Sequence, residues 1–327
     1  MPDEARLVEE LGYDGLVVEE TKHDPYVVLA LAASTTRRLR LTTAVAMAFP
    51  RSPTITAMSA WTLQKLSRGR FVLGLGSQVR GHIVRRFGLA YRPPGPWMRD
   101  YVRAVRAVWA SWQHRTKLDF ESEHYRLSLM VPLFDPGPIE HPDIPAHVAA
   151  VNPTMCRIAG EVADGLRPHP VCTPRYIREV MRPALVAGAT SAGRSAERIA
   201  VAMKPLVCAA PDEATLATKV RDVRARVAFY ASTPGYRAAF EAHGLGDLAA
   251  ELASLSREQR WEEMPPRISD EVLHTYAVVG TYADIGRKLV ERYRGVVTDV
   301  EFGIPADTGR ERNILRELVQ EVRREAR

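Results

Sequence analysis

Cysteine is scarce in this chain: Cys156, Cys172 and Cys208 are the only three in 327 residues, and no Cys-x-x-Cys pair occurs. An odd number of widely spaced thiols supports no disulfide framework and points to a reducing, cytoplasmic setting. No apolar run reaches the ~18 residues a bilayer span needs, and no signal-peptide pattern opens the chain, so a membrane partner is not expected. The nine histidines include no His-Glu-x-x-His and no close pairing with carboxylates at metal-ligand spacing. A Gly-x-Ser-x-Gly elbow is missing too. These absences argue against a metal centre and against a serine nucleophile. Charge of one sign does not dominate: 45 basic and 39 acidic residues are mixed along the chain, for a net +6. Without an aromatic-interleaved basic stripe, nucleic acid is not an expected partner, while the mild positive balance favours an anionic small molecule.

What the chain does have is alternation. Seven short apolar segments rich in β-branched residues ("YDGLVVEE", "LRLTTAVAMAF", "RFVLGLGS", "IPAHVAAV", "DGLRPH", "RIAVAMKPLVCAA", "VVTDVEFGI") are separated by helical stretches. Such spacing predicts βαβ units and a parallel sheet buried on both faces. Eight strands would close a (β/α)₈ barrel, which typically needs ~250 residues. The chain opens instead on a helix, "DEARLVEEL", that should pack outside a strand lying before Met1. The fold class expected is therefore α/β, a TIM-like barrel lacking its first strand, as one domain across residues 1–327. Either the first strand has been lost from the sequence or the barrel is open there. A hairpin excursion is expected in "LDFESEHYRLSLM", and a helical insertion over residues 212–275 before the last strand.

Three segments carry candidate chemistry. "GRFVLGLGSQ" has three glycines but lacks the Gly-x-Gly-x-x-Gly spacing of a dinucleotide loop, and its glycines lie inside the strand. Strand glycines let a backbone or a flat ligand come close. Ser77 and Gln78 then stand at the strand's C-terminal end, where barrel enzymes place their chemistry. "EETKHDP" puts Glu20, Lys22 and His23 at the same end of the first strand, and a histidine there suits general acid work. In "VNPTM", Asn152 is a reasonable N-cap and Pro153 a first helical residue, leaving free amides able to hold a phosphate. Further along, "FYASTPGYRAAFEAHG" carries Phe229, Tyr230 and Tyr236, which could equally line a pocket or pack helices.

Together, "EELGYDGLVVEETKHDPYVVLALAAST", "LRLTTAVAMAFPRSP", "LSRGRFVLGLGSQ" and "AGEVADG" resemble the bacterial luciferase-like oxidoreductases, and most closely the actinobacterial branch that uses the deazaflavin coenzyme F420. The resemblance implies hydride transfer between bound F420 and an organic substrate, or FMN-dependent monooxygenation by relatives of similar fold; a non-catalytic barrel is a third reading. It implies a non-proline cis peptide at Ala44-Val45 against the cofactor ring. It also implies a tail phosphate on Ala150, Val151, Asn152, Pro153 and Thr154 with Ser77 and Gln78, and Lys22 and His82 among the cofactor contacts. His23 would donate the proton or orient the substrate, with Glu20 as its partner. Homodimers are common in the family. One departure stands out: sugar-phosphate dehydrogenases of the family carry a glutamate just after the glycine strand, where this chain has Val79.

Overall fold

Proline starts the helices of this chain. The computed structural model describes residues 1–326, and its first five α-helices all begin on a proline: α1 (Pro2–Glu10), α2 (Pro25–Thr35), α3 (Pro53–Ser67), α4 (Pro94–His114) and α5 (Pro153–Val162). The first helical position needs no N–H donor, and proline's fixed φ suits it. Asp24 caps α2 by accepting from the N–H of Tyr26 at 2.8 Å, and Ser52 caps α3 by accepting from that of Ile55 at 3.2 Å. α3 and α4 both end on an arginine in the left-handed region, Arg68 and Arg115.

Twelve strands alternate with the helices: β1 (Gly15–Val18), β2 (Arg40–Thr43), β3 (Ala46–Met47), β4 (Phe71–Gly76), β5 (Phe120–Glu121), β6 (Arg126–Leu127), β7 (Ala146–Ala150), β8 (Gly165–Pro168), β9 (Ala200–Met203), β10 (Leu206–Ala210), β11 (Ala277–Thr281) and β12 (Asp299–Val300). The chain forms two compact units. The first takes in residues 1–150, 154–167 and 184–199. In it β1, β2, β4, β7 and β8 lie in that order with β3 on β4, and the β1–β2, β2–β4, β3–β4 and β4–β7 pairs are parallel. β4 is buried along its whole length, as a strand covered on both faces must be. β5 and β6 form the expected antiparallel hairpin. The second unit takes in residues 151–153, 168–183 and 200 onward, and contains the parallel pairs β9–β12 and β10–β11.

Two expectations need correction here. "RIAVAMKPLVCAA" is two strands, because Pro205 lacks the N–H a continuous ladder requires; β9 and β10 find different partners, β12 and β11. The helical segment is also followed by one strand more than the single last strand expected. Ala277–Thr281 is a buried apolar run that pairs in parallel with β10, so the helices of residues 213–276 precede two strands rather than one. The run is only five residues long and follows directly on a helix, so no break in the sequence marks its start.

The glycines of β4 clear space for backbone, not for phosphate. A Cβ on Gly74 would overlap the Thr43 carbonyl oxygen, and one on Gly76 would come within 2.5 Å of the Val45 Cγ2. Thr43 also clamps Gly74 in both directions: its hydroxyl donates to the Gly74 carbonyl at 2.7 Å and accepts from the Gly74 N–H at 2.8 Å. Because the obstacle is main chain in a buried sheet, relief requires the strands to part. Gly74→Ala should destabilise the protein by about 3 kcal/mol or more, beyond the ordinary range for overpacking by one methyl; urea unfolding against Gly88→Ala, whose Cβ would meet nothing within 4 Å but whose φ of +67° imposes a strain of its own, measures the difference.

Candidate active site

The C-terminal ends of β1 and β3 and the start of α2 are drawn together by one ion-pair network. Glu20, just past β1, takes Arg51 Nη2 on Oε1 at 2.6 Å and Arg51 Nη1 on Oε2 at 2.8 Å. Oε2 also accepts the Met47 N–H of β3 at 2.6 Å. Arg51 Nη2 reaches Asp24 Oδ2 at 2.9 Å, so the residue that caps α2 also holds the guanidinium. Both members of the Glu20–Arg51 pair are largely shielded, with side chains 14% and 19% exposed. Burial works against the Arg51 charge, yet its hydrogen bonds to Glu20 and Asp24 outweigh that and push the guanidinium above its ordinary pKa. "EETKHDP" and "FPRSP" are thus two halves of one structural unit.

This arrangement corrects one pairing. Glu20 was expected to support His23, but its hydrogen bonds go to Arg51 and to the Met47 backbone, while His23 stands exposed on the turn before α2. Glu20 organises the rim, and Arg51, to which the sequence assigned no role, is its necessary partner. A carboxylate and an arginine thirty-one residues apart, each in a motif at a strand end, carry no spacing signal to link them.

Between β2 and β3 the Ala44–Val45 peptide is cis. Both residues are half-buried, and Val45 packs over Gly76. Ser77 and Gln78 follow directly, also half-buried, with Gln78 in the left-handed region at φ 57°. Next comes a single turn of π-helix, His82–Arg86, a form that recurs at functional sites. His82 is exposed on it, and Arg86 Nη2 donates to the Thr21 carbonyl at 3.4 Å, tying this turn to the segment that carries Lys22 and His23. β7 neighbours β4 with Leu75 opposite Val148, so Ala150 ends beside Ser77 and Gln78. Phe49 stacks on Trp97 of α4 at 3.7 Å, anchoring the turn between β3 and Arg51.

The second unit holds Val151, Asn152 and Pro153, with the Asn152 amide donating to the Gly235 carbonyl at 3.4 Å. It also contains a ring cluster centred on a residue the sequence did not single out, His169, the residue after β8. His169 stacks on Tyr236 (4.1 Å, 24°) and meets Tyr230 edge-on (4.7 Å, 85°). Its Nδ1 faces the Val171 N–H at 3.4 Å, and burial lowers its pKa to about 4. Phe229 and Trp261 extend the aromatic surface outward. Among the described residues no group of His, Cys, Asp and Glu side chains could hold a metal ion, and no helix is long and apolar enough to cross a membrane.

Parallel βα units with polar side chains gathered at the strand C-termini define an α/β enzyme of the barrel class. Residues 1–299 match the family described as Luciferase-like monooxygenase, and the chain belongs to that family. The uncharacterized protein Rv1360 of Mycobacterium tuberculosis is 44% identical over 298 residues, covering 91% of this chain and 88% of that one. The F420-dependent glucose-6-phosphate dehydrogenase of Nocardia farcinica is 28% identical over 221 residues, 60% of this chain and 61% of that one. Among solved structures, the coenzyme F420 dependent tetrahydromethanopterin reductase from Methanopyrus kandleri matches with a TM-score of 0.79 at 22% identity, covering 100% of this chain and 96% of that one. The fold is therefore the TIM-barrel-like fold of these enzymes.

Two measurements follow from the geometry. Glu20→Gln leaves Arg51 facing Asp24 alone; because the pair is neither open to solvent nor fully sealed, the loss should be about 2 kcal/mol, read as a Tm lower by a few degrees. For His169 the folded pKa lies below the unfolded value near 6.5, so its contribution to stability is complete above pH 6.5 and is lost as pH falls toward about 4. Urea unfolding between pH 7 and 4 should therefore decline more steeply for the native protein than for His169→Phe.

Proposed function

We propose that this protein is an oxidoreductase that moves a hydride between coenzyme F420 and an organic substrate. The observation that carries the reading is a cluster of basic side chains just past the C-terminal end of β4, within a longer acid-free run. From residue 25 to residue 99 the sequence contains no Asp or Glu, against twelve Arg and Lys. Arg80, Arg85 and Arg86 are exposed on and beside the π-helical turn. A planar cofactor with an anionic, phosphate-bearing tail fits that donor set. The ring would lie against Ala44 and Val45, and the phosphate would meet Ser77, Gln78, Ala150 and the Thr154 amide in the first turn of α5, where N–H groups lack intrahelical partners. Lys22 and His82 would supply further polar contacts. Relatives and structural neighbours named for F420 support the same assignment.

When bound, such a cofactor supplies the hydride chemistry; the protein's part is binding, orientation and exclusion of water. Glu20 and Arg51 fix the end of β3 and hence the backbone on which the ring would rest. His23, exposed on the turn after β1, is the proposed proton donor or orienting group for the substrate. Arg86, through its bond to the Thr21 carbonyl, holds that turn beside the basic segment.

The test is direct titration of the purified protein with F420 and, separately, with FMN, following the fluorescence of each. F420 should bind and FMN should not. Tight FMN binding without F420 affinity, together with oxygen uptake in the presence of reduced FMN, would establish the luciferase-like monooxygenase reading instead. With a substrate in hand, His23→Ala should lower kcat by about a hundredfold while F420 affinity stays within twofold.

A further inference from the structure

We propose that His169, Tyr230 and Tyr236 form a substrate subsite for a planar aromatic group bearing a carbonyl or hydroxyl oxygen, with the His169 Nε2–H donating a hydrogen bond to that oxygen. The proposal rests on the oxidoreductase reading above, which supplies a reason for a substrate oxygen to be held.

The position of His169 is fixed by its neighbours in the chain. It lies between Pro168 and Pro170, and a residue preceding proline is confined to extended backbone. Its carbonyl accepts the Cys172 N–H at 2.8 Å, closing the turn behind it. The ring has little freedom, since one face stacks on Tyr236 and its side meets Tyr230, while those two tyrosines stand edge to face at 5.9 Å. Aromatic pairs prefer such offset and edge-on geometries, and together they make a rigid, mostly apolar wall.

The chemistry of the histidine follows from its protonation. Burial keeps the imidazole neutral at physiological pH. With Nδ1 turned to the Val171 N–H as acceptor, the proton resides on Nε2. Among the described residues Nε2 makes no hydrogen bond, and it is not among the buried polar atoms closed off from solvent. A core histidine would have both nitrogens satisfied or sealed. This one presents a single fixed donor at the edge of an aromatic wall. A neutral imidazole in that position can polarise a substrate carbonyl without titrating near neutral pH.

The occupant is specified by what surrounds the donor. Phe229 and Trp261, 51% and 46% exposed, continue the ring surface beyond Tyr230, so aromatic area extends past the three central rings. A flat aromatic skeleton gains from this wall, and an oxygen on its edge gains from Nε2–H.

Binding of 2-acetylnaphthalene, 2-isopropenylnaphthalene (the same shape without the oxygen) and cyclohexyl methyl ketone (the oxygen without the aromatic plane) can be compared by calorimetry on the unmodified protein. F420 affinity is measured in parallel by fluorescence. 2-Acetylnaphthalene should bind about tenfold more tightly than either of the others, the difference expected for one hydrogen bond to a buried donor. His169→Phe keeps the ring and removes the donor; it should bind both naphthalenes alike, with F420 affinity unchanged. Tyr236→Leu should weaken both naphthalenes and leave their ratio intact. Equal affinity of the native protein for the two naphthalenes, or an undiminished preference in His169→Phe, overturns the subsite. Failure to bind F420 while the tenfold preference persists would instead overturn the cofactor reading and leave the subsite standing.

Discussion

The guanidinium of Arg51 is the point on which the rim of the first unit depends. It reaches Glu20 at the end of β1, Asp24 at the start of α2 and the Met47 carbonyl of β3, and it lies 5.3 Å over the Tyr26 ring. The segment between β1 and α2 and the end of β3 therefore share one cation. Glu20 returns the constraint by taking the Met47 N–H, so both backbone groups of Met47 answer to the same pair of side chains. A planar, five-donor group can satisfy several acceptors at once; a lysine ammonium would lack the fork that meets both Glu20 oxygens.

The opposite ends of the strands are organised by a different rule. Glu9 accepts the N–H groups of Arg37, Arg38 and Leu39 just before β2. Arg70, just before β4, donates to the carbonyls of Ala33, Thr36, Leu39 and Ser67. Asp164, just before β8, accepts from the Ala146 N–H and from Arg106. There, Glu9, Arg70 and Asp164 spend their charge on backbone that would otherwise be unsatisfied. At the C-terminal ends the charges beyond the Arg51 network stay exposed. The separation of stability from chemistry that βα barrels allow is thus written into how each end disposes of its charges.

Much of this was legible in the sequence, and the boundary of what was not is physical. Helix starts were readable because proline and a short polar cap act locally. The hairpin of β5 and β6 showed through its alternation. β4 could be separated from a phosphate loop by spacing alone, although the atoms its glycines accommodate, the Thr43 carbonyl and the Val45 side chain, emerge only when strands are laid side by side. β11 was hidden because a run as short as AVVGT fits either period. Arg51 and His169 were missed for a common reason: each acts through partners remote in sequence, Glu20 and Asp24 for one, Tyr230 and Tyr236 for the other. His23 was easier to single out than Arg51 because histidine advertises its chemistry, while an arginine among forty-five basic residues does not.

The acid-free run from residue 25 to residue 99 has a kinetic consequence beyond what it holds in place. Its exposed arginines beside the π-helical turn, Arg80, Arg85 and Arg86, add positive potential at the strand-end loops. An anion diffusing toward that edge is guided before it touches the protein, and the guidance weakens once the Debye length shrinks to ~10 Å near 0.1 M salt. Capture would then be set by ionic strength, while release would be set by contacts too short for salt to screen.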